Sequence, residues 1–153
     1  MRKICVLFML FLTHSILFAQ QNSDINLIGR WGEGYNNAVA NRGGYIFSGN
    51  GLYLELFRNR PNGYEKLDSK IVLPDVIEDI WVKGDLSYVF VACGNGGVQV
   101  VKFTESTRVF DSIVHGYQTQ GYAEGLMEFG GSLYVAEGNS GVTLLQVNQN
   151  RTF

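Results

Sequence analysis

Cysteine, proline and histidine are scarce in this chain, and each scarcity removes a class of explanation. Of the two cysteines in 153 residues, Cys5 belongs to an apolar leader and only Cys93 to the remainder, so the folded part cannot be held by an internal disulfide. Cys93 is expected to serve as a small apolar residue at a strand end. His14 also lies in the leader. His115 is then the one histidine of the body, and neither a histidine-based zinc site nor a paired histidine acid and base can be assembled from it. The two prolines, Pro61 and Pro74, fall where loops are expected. No serine sits in a Gly-x-Ser-x-Gly context, and no phosphate-binding or dinucleotide fingerprint occurs between a strand and a helix. Beyond residue 20 no stretch carries a 3.6-residue apolar period, which excludes helical repeats.

What the chain does have begins with its leader. Arg2 and Lys3 precede an apolar run that ends at the small residue Ala19, followed by the polar QQNSD. Residues 1–19 are therefore read as a signal peptide cleaved after Ala19, too short an apolar run for a stable membrane span. Export to the periplasm, cell surface or medium follows as an expectation. The net charge is −2, and −4 once Arg2 and Lys3 are removed. With charges of both signs scattered and no basic patch, a nucleic-acid partner is not expected.

The rest of the chain is organised around a hairpin that occurs three times. Residues 88–103, YVFVACGNGGVQVVKF, place two Val- and Phe-rich runs around a Gly-rich turn. The same pattern stands upstream as YIFSGNGLYLELF (45–57) and downstream as YVAEGNSGVTLLQV (134–147). The turn glycines Gly51, Gly97 and Gly141 are 46 and 44 residues apart, the length of a propeller blade. Each hairpin is preceded by another strand candidate, at 35–44, 76–85 and 122–131. The first two are also followed by one, at 64–73 and 108–114. Strand, turn, strand, turn, strand, loop, strand is the unit of a β-propeller. The expected fold is thus all-β: about three four-stranded blades at 35–73, 74–114 and 121–147, the last lacking its outer strand. Aromatic content of 13% and 19 glycines suit it. Residues 20–34 form an N-terminal segment whose DINLIGRW could supply a ring-closing outer strand, because it parallels DSIVHGY at 111–117. Ile80, Val82, Val89, Val91, Val98 and Val100 should pack sheet against sheet.

The aromatic-Val-Ala strand running through a Gly-Asn turn into VQVVKF or VTLLQV resembles the LVIVD-repeat family of exported β-propellers, with NHL-type and YVTN-type repeats as look-alikes. The resemblance covers residues 25–147. The Asp and Pro-containing turn common after the family's third strand are absent after Phe103 and Val147. It implies a packing unit and not a particular activity.

Candidate chemistry collects at one end of the expected blades. Asn37, Glu78 and Glu124 occupy equivalent positions where the inner strands begin, beside turn residues Asn50, Asn95 and Asn139, with Asp79 and Glu137 nearby. Oxygen donors in such a ring could take calcium, although Asn and Glu at strand starts more commonly satisfy backbone groups. The aromatics Trp31, Tyr35, Tyr117 and Tyr122 could line a carbohydrate surface, with packing between blades the favoured role. The first functional reading is an exported propeller that binds another protein or scaffolds a larger one, as part of a larger propeller, with self-association through open blade edges. The alternative is a calcium-assisted hydrolase or lactonase-like enzyme.

Overall fold

In the computed structural model of the chain, residues 35–147 are described. They form eleven strands in three antiparallel sheets. The first sheet is an in-order meander of β1 (Asn36–Arg42), β2 (Tyr45–Asn50), β3 (Tyr53–Arg60) and β4 (Gly63–Val72). The second repeats it with β5 (Asp79–Val82), β6 (Tyr88–Ala92), β7 (Val98–Thr104) and β8 (Val109–Tyr117). The third has three strands, β9 (Gly125–Phe129), β10 (Ser132–Ala136) and β11 (Val142–Gln146). Three consecutive meanders stacked face to face are the blades of a partial β-propeller, with 4, 4 and 3 strands as the repeat pattern implied. The leader and the segment 20–34 lie outside the described residues.

Burial follows the stacking order. The middle sheet is covered on both faces, so β6 is buried at four of five positions and β7 at four of seven, apolar residues of both faces included. The third is covered on one face, and β11 buries only Leu145 fully. Between the first and second sheets Tyr45, Phe47, Phe103 and Phe110 form an aromatic cluster. Phe47 and Phe103 meet edge to face, with centroids 5.5 Å apart at 85°. Ile80, Val82, Val89 and Val91 face this layer. Phe90, Val98, Val100, Leu133, Val135 and Leu145 fill the layer between the second and third sheets. The outer strands are joined as well: the Phe110 amide donates to Ser69 Oγ at 2.9 Å.

Two local departures from the sequence reading have physical causes. Residues 76–78 are not strand, because Ile77 N–H donates to Gly51 O of the preceding sheet (2.9 Å) and Val76 N–H to the Asp75 carboxylate (2.8 Å). The Val76 and Ile77 bonds go elsewhere, only Glu78 N–H reaches β6, at Ala92 O (2.9 Å), and β5 begins at Asp79. The third hairpin turn closes through a single 3₁₀ turn, Gly138–Ser140.

Candidate functional site

The first and second sheets each end their second strand in a turn that touches the segment entering the next sheet, and in the third the turn residue Glu137 accepts from Gln120 and Gly121 of the segment entering its own sheet. Gly51 O receives Ile77 N–H, and Gly94 forms a two-way backbone bridge with Ala123 (3.2 and 2.9 Å). Asn50, Asn95 and Asn139 therefore lie at the same end of their sheets as the entry segments. The turn glycines all hold positive φ, 59° at Gly51, 67° at Gly97 and 89° at Gly141.

At this end Glu78 gathers three repeats. Its Oε2 accepts from Asn37 Nδ2 at 2.8 Å, and its Oε1 accepts from the Tyr122 hydroxyl at 2.5 Å. Asn37 belongs to the first sheet, Glu78 enters the second and Tyr122 enters the third. The hydrogen bond to Glu78 holds the Tyr122 proton, and partial burial and the charges of Glu78, Asp75 and Glu124 add to it, pushing the phenol up to about 12. Tyr122 at neutral pH is thus a donor and neither a base nor a nucleophile. Its ring lies over Gly94, where a Cβ would come within 2.7 Å of it.

A second carboxylate joins the connection between the first two sheets to a hairpin turn. Asp75 Oδ2 accepts from both the backbone N–H (2.9 Å) and the side-chain amide (3.1 Å) of Asn95, and Oδ1 accepts from Val76 N–H. The Val76 and then the Asn95 donors lower the Asp75 carboxyl below its ordinary range. In the third repeat the same joint is built in reverse. There the carboxylate sits on the hairpin: Glu137 Oε2 accepts the N–H groups of Gln120 (3.0 Å) and Gly121 (3.1 Å) in the connecting segment. Glu137 is 1% exposed, and its Oε1 has no protein partner. Asp79 also bridges sheets, its Oδ2 accepting Leu126 N–H at 2.7 Å.

Of the expected oxygen ring, the structure brings Asn37 and Glu78 together by a direct hydrogen bond. Glu124 lies at the same end beside Gly138, where a Cβ would stand 3.1 Å from its Oε1. Among the described residues no three His, Cys, Asp or Glu side chains are grouped so as to hold a metal ion. Cys93 is fully buried, and burial, with a contribution from Asp75, pushes its thiol up to about 12. Tyr35 is exposed, Tyr117 is half-buried and Trp31 lies outside the described residues. Sequence reasoning missed the Tyr122–Glu78 bond and both carboxylate joints. The signal available was only the adjacency of Asp75 to Pro74 at the crossing between repeats.

No family model and no curated protein matches this chain. Among solved structures it is similar to a chain of the Chaetomium thermophilum heterotrimeric Nup82 NTD-Nup159 TAIL-Nup145N APD complex, with a TM-score of 0.51 and 14% identity. The match covers 76% of this chain and 28% of that one. The chain thus spans a little over a quarter of the neighbour's length. At this identity the likeness is one of fold. Among the described residues no helix is long and apolar enough to cross a membrane.

Proposed function

We propose that this chain is an exported propeller-repeat protein of the LVIVD type whose work is to bind or scaffold other protein. The observation that carries the reading is the uncovered face of the third sheet, where Met127, Phe129, Val142 and Leu144 are 57–71% exposed. Contiguous apolar surface of this kind marks a protein contact. The polar end around Glu78 supports the same reading, because its carboxylates are engaged in holding repeats together. The neighbour of similar fold was itself solved within a protein complex, which accords with a binding role. Among the described residues, carbohydrate binding and a calcium-assisted hydrolase have no comparable feature in their favour.

Three measurements test this. N-terminal sequencing of protein recovered from the periplasm or medium should begin at or near Gln20; an intact Met1 terminus confined to the cytoplasm would falsify export. Carbodiimide cross-linking of the full chain in its native fraction should join lysine amines of partner proteins to Glu128 of the third repeat, and Leu144→Arg should abolish those cross-links. Calorimetry with calcium on the same protein should show no tight binding, and tight binding lost in Glu78→Gln would restore the alternative.

A further inference from the structure

The layer between the second and third sheets is filled differently from the layer between the first and second. Counting on from the equivalent pair Glu78 and Glu124 sets Glu128 of β9 in the place of Val82 of β5. Val82 is buried against the first sheet, and so is Leu86, whose Cδ1 stands 2.5 Å from where a Cβ on Gly43 would be. Leu86 belongs to the connection 83–87 between β5 and β6, whereas β9 and β10 are joined by Gly130 and Gly131 alone. The third sheet therefore brings neither the valine nor the leucine that fill this end of the earlier layer.

What remains there is a cavity of about 240 Å³. Its apolar walls are Trp81 and Phe90 from the second sheet and Leu133 and Val147 from the third, and its charged members are Lys83 and Glu128. Trp81 and Phe90 are cross-strand partners with ring centroids 5.4 Å apart, tilted by 59°. Glu128 pairs in register with Leu133, which is fully buried in this layer, so its side chain leaves the sheet on the covered face. The two charges are not alike. Lys83 Nζ has the Asp85 carboxylate 3.4 Å away. Glu128 Oε1 accepts the Gly131 N–H at 2.8 Å, and among the described residues no lysine or arginine pairs with it. A carboxylate lacking a cation thus borders an aromatic, mostly apolar space.

We infer that this cavity binds a small organic ammonium ion, an amine carried on an aromatic or branched apolar body. The ammonium supplies the charge and the donors that Glu128 lacks, and a charge-assisted bond beside apolar walls is stronger than one in open water. A cation is also drawn to the faces of Trp81 and Phe90. The apolar body takes the volume that Val82 and Leu86 take in the earlier layer, and leaves water as they do. Lys83, with Asp85 beside it, adds little net charge. An inorganic cation would gain nothing from the apolar walls and would find a single carboxylate in the lining. An anionic ligand would meet Glu128 and a lysine already paired. The inference is independent of the protein-binding face, which is the other side of the third sheet.

The test is titration of the full chain with 2-phenylethylamine and with 3-phenylpropionate, matched in shape and opposite in charge, followed by calorimetry and by tryptophan emission. The amine should bind saturably at neutral pH, with an emission change that Trp81→Phe removes, and the acid should bind at least about tenfold more weakly. Glu128→Gln keeps an acceptor for the Gly131 N–H. It should weaken the amine by at least about tenfold while leaving the circular dichroism spectrum unchanged. Glu128→Val, which gives the third sheet the residue of the second, should abolish amine binding without lowering the melting temperature. Leu144→Arg, on the open face, should leave amine binding as it is. No saturable binding of the amine overturns the inference, as does equal binding of the acid, undiminished binding in Glu128→Gln, or an emission change that persists in Trp81→Phe. Each of these outcomes leaves the protein-binding reading of the open face standing, and loss of cross-linked partners with amine binding preserved would remove that reading alone.

Discussion

A phenol that donates to a carboxylate gives up its own proton late, and Tyr122 should do so measurably. Its value of about 12 lies above the ordinary 10.0, so the folded state holds the proton more tightly than the unfolded chain. The resulting stabilisation is complete below about pH 10 and is lost as the pH rises through about 12. In an absorbance titration of the eight tyrosines, one tyrosinate should appear late. Tyr122→Phe should remove that step, and Glu78→Gln should move it to lower pH. Persistence of the late step in Tyr122→Phe would assign it to another residue. The turn glycines make a second comparison. Gly51 and Gly141 have open space where a Cβ would go, whereas at Gly97 it would stand 2.2 Å from Tyr117 O. Gly51→Ala should cost about 1 kcal/mol through its positive φ alone. Gly97→Ala should lower the urea midpoint further, because backbone must also move. Equal midpoints would contradict that close approach. Cys93, with its raised thiol, should be inert to thiol reagents until the protein unfolds.

At the scale of the element, position in the stack sets protection. Strands β6 and β7 are paired on both edges and covered on both faces, while among the described residues β11 has a partner on one edge only and a single covered face. Hydrogen exchange should be slowest in β6 and β7 and fastest in β11; a uniform rate across the three sheets would mean they open as one unit. The strands were legible in sequence because β6 and β7 combine β-branched residues with a Gly-rich turn, and the 46- and 44-residue spacing carried that reading to the other repeats. The entry segment 76–78 misled because its apolar residues look like strand while Ile77 bonds backward to Gly51. Periodicity identifies equivalent positions, such as Asn37, Glu78 and Glu124. It does not say which of them touch, and the bond that matters, Tyr122 to Glu78, joins residues that are not equivalent.

At the scale of the molecule, Glu78 is bonded to side chains of both neighbouring repeats, Asn37 and Tyr122. Asn37→Ala and Tyr122→Phe should each destabilise by about 0.5–1.5 kcal/mol. Their double variant should fall short of the sum by a measurable coupling, since both act on the same carboxylate; strict additivity in urea unfolding would mean that the two bonds are independent. The reversed joints have a different consequence, which concerns the order of the repeats. Asp75 offers a carboxylate from the connecting segment to a hairpin that brings an amide, while Gln120 and Gly121 offer amides to a hairpin that brings Glu137. The hairpins are therefore not interchangeable parts. Grafting the third hairpin into the second place would set Glu137 where Cys93 lies, within the field of Asp75, and two carboxylates would share a buried joint. Grafting the second into the third place would leave the Gln120 and Gly121 amides facing Cys93. A chain with exchanged hairpins should melt well below the natural one even though every strand keeps its pattern, and an unchanged melting temperature would show the joints to be dispensable. The repeats are alike enough to stack and unlike enough to be numbered, so this polypeptide carries the assembly order of its own blades in the loops between them.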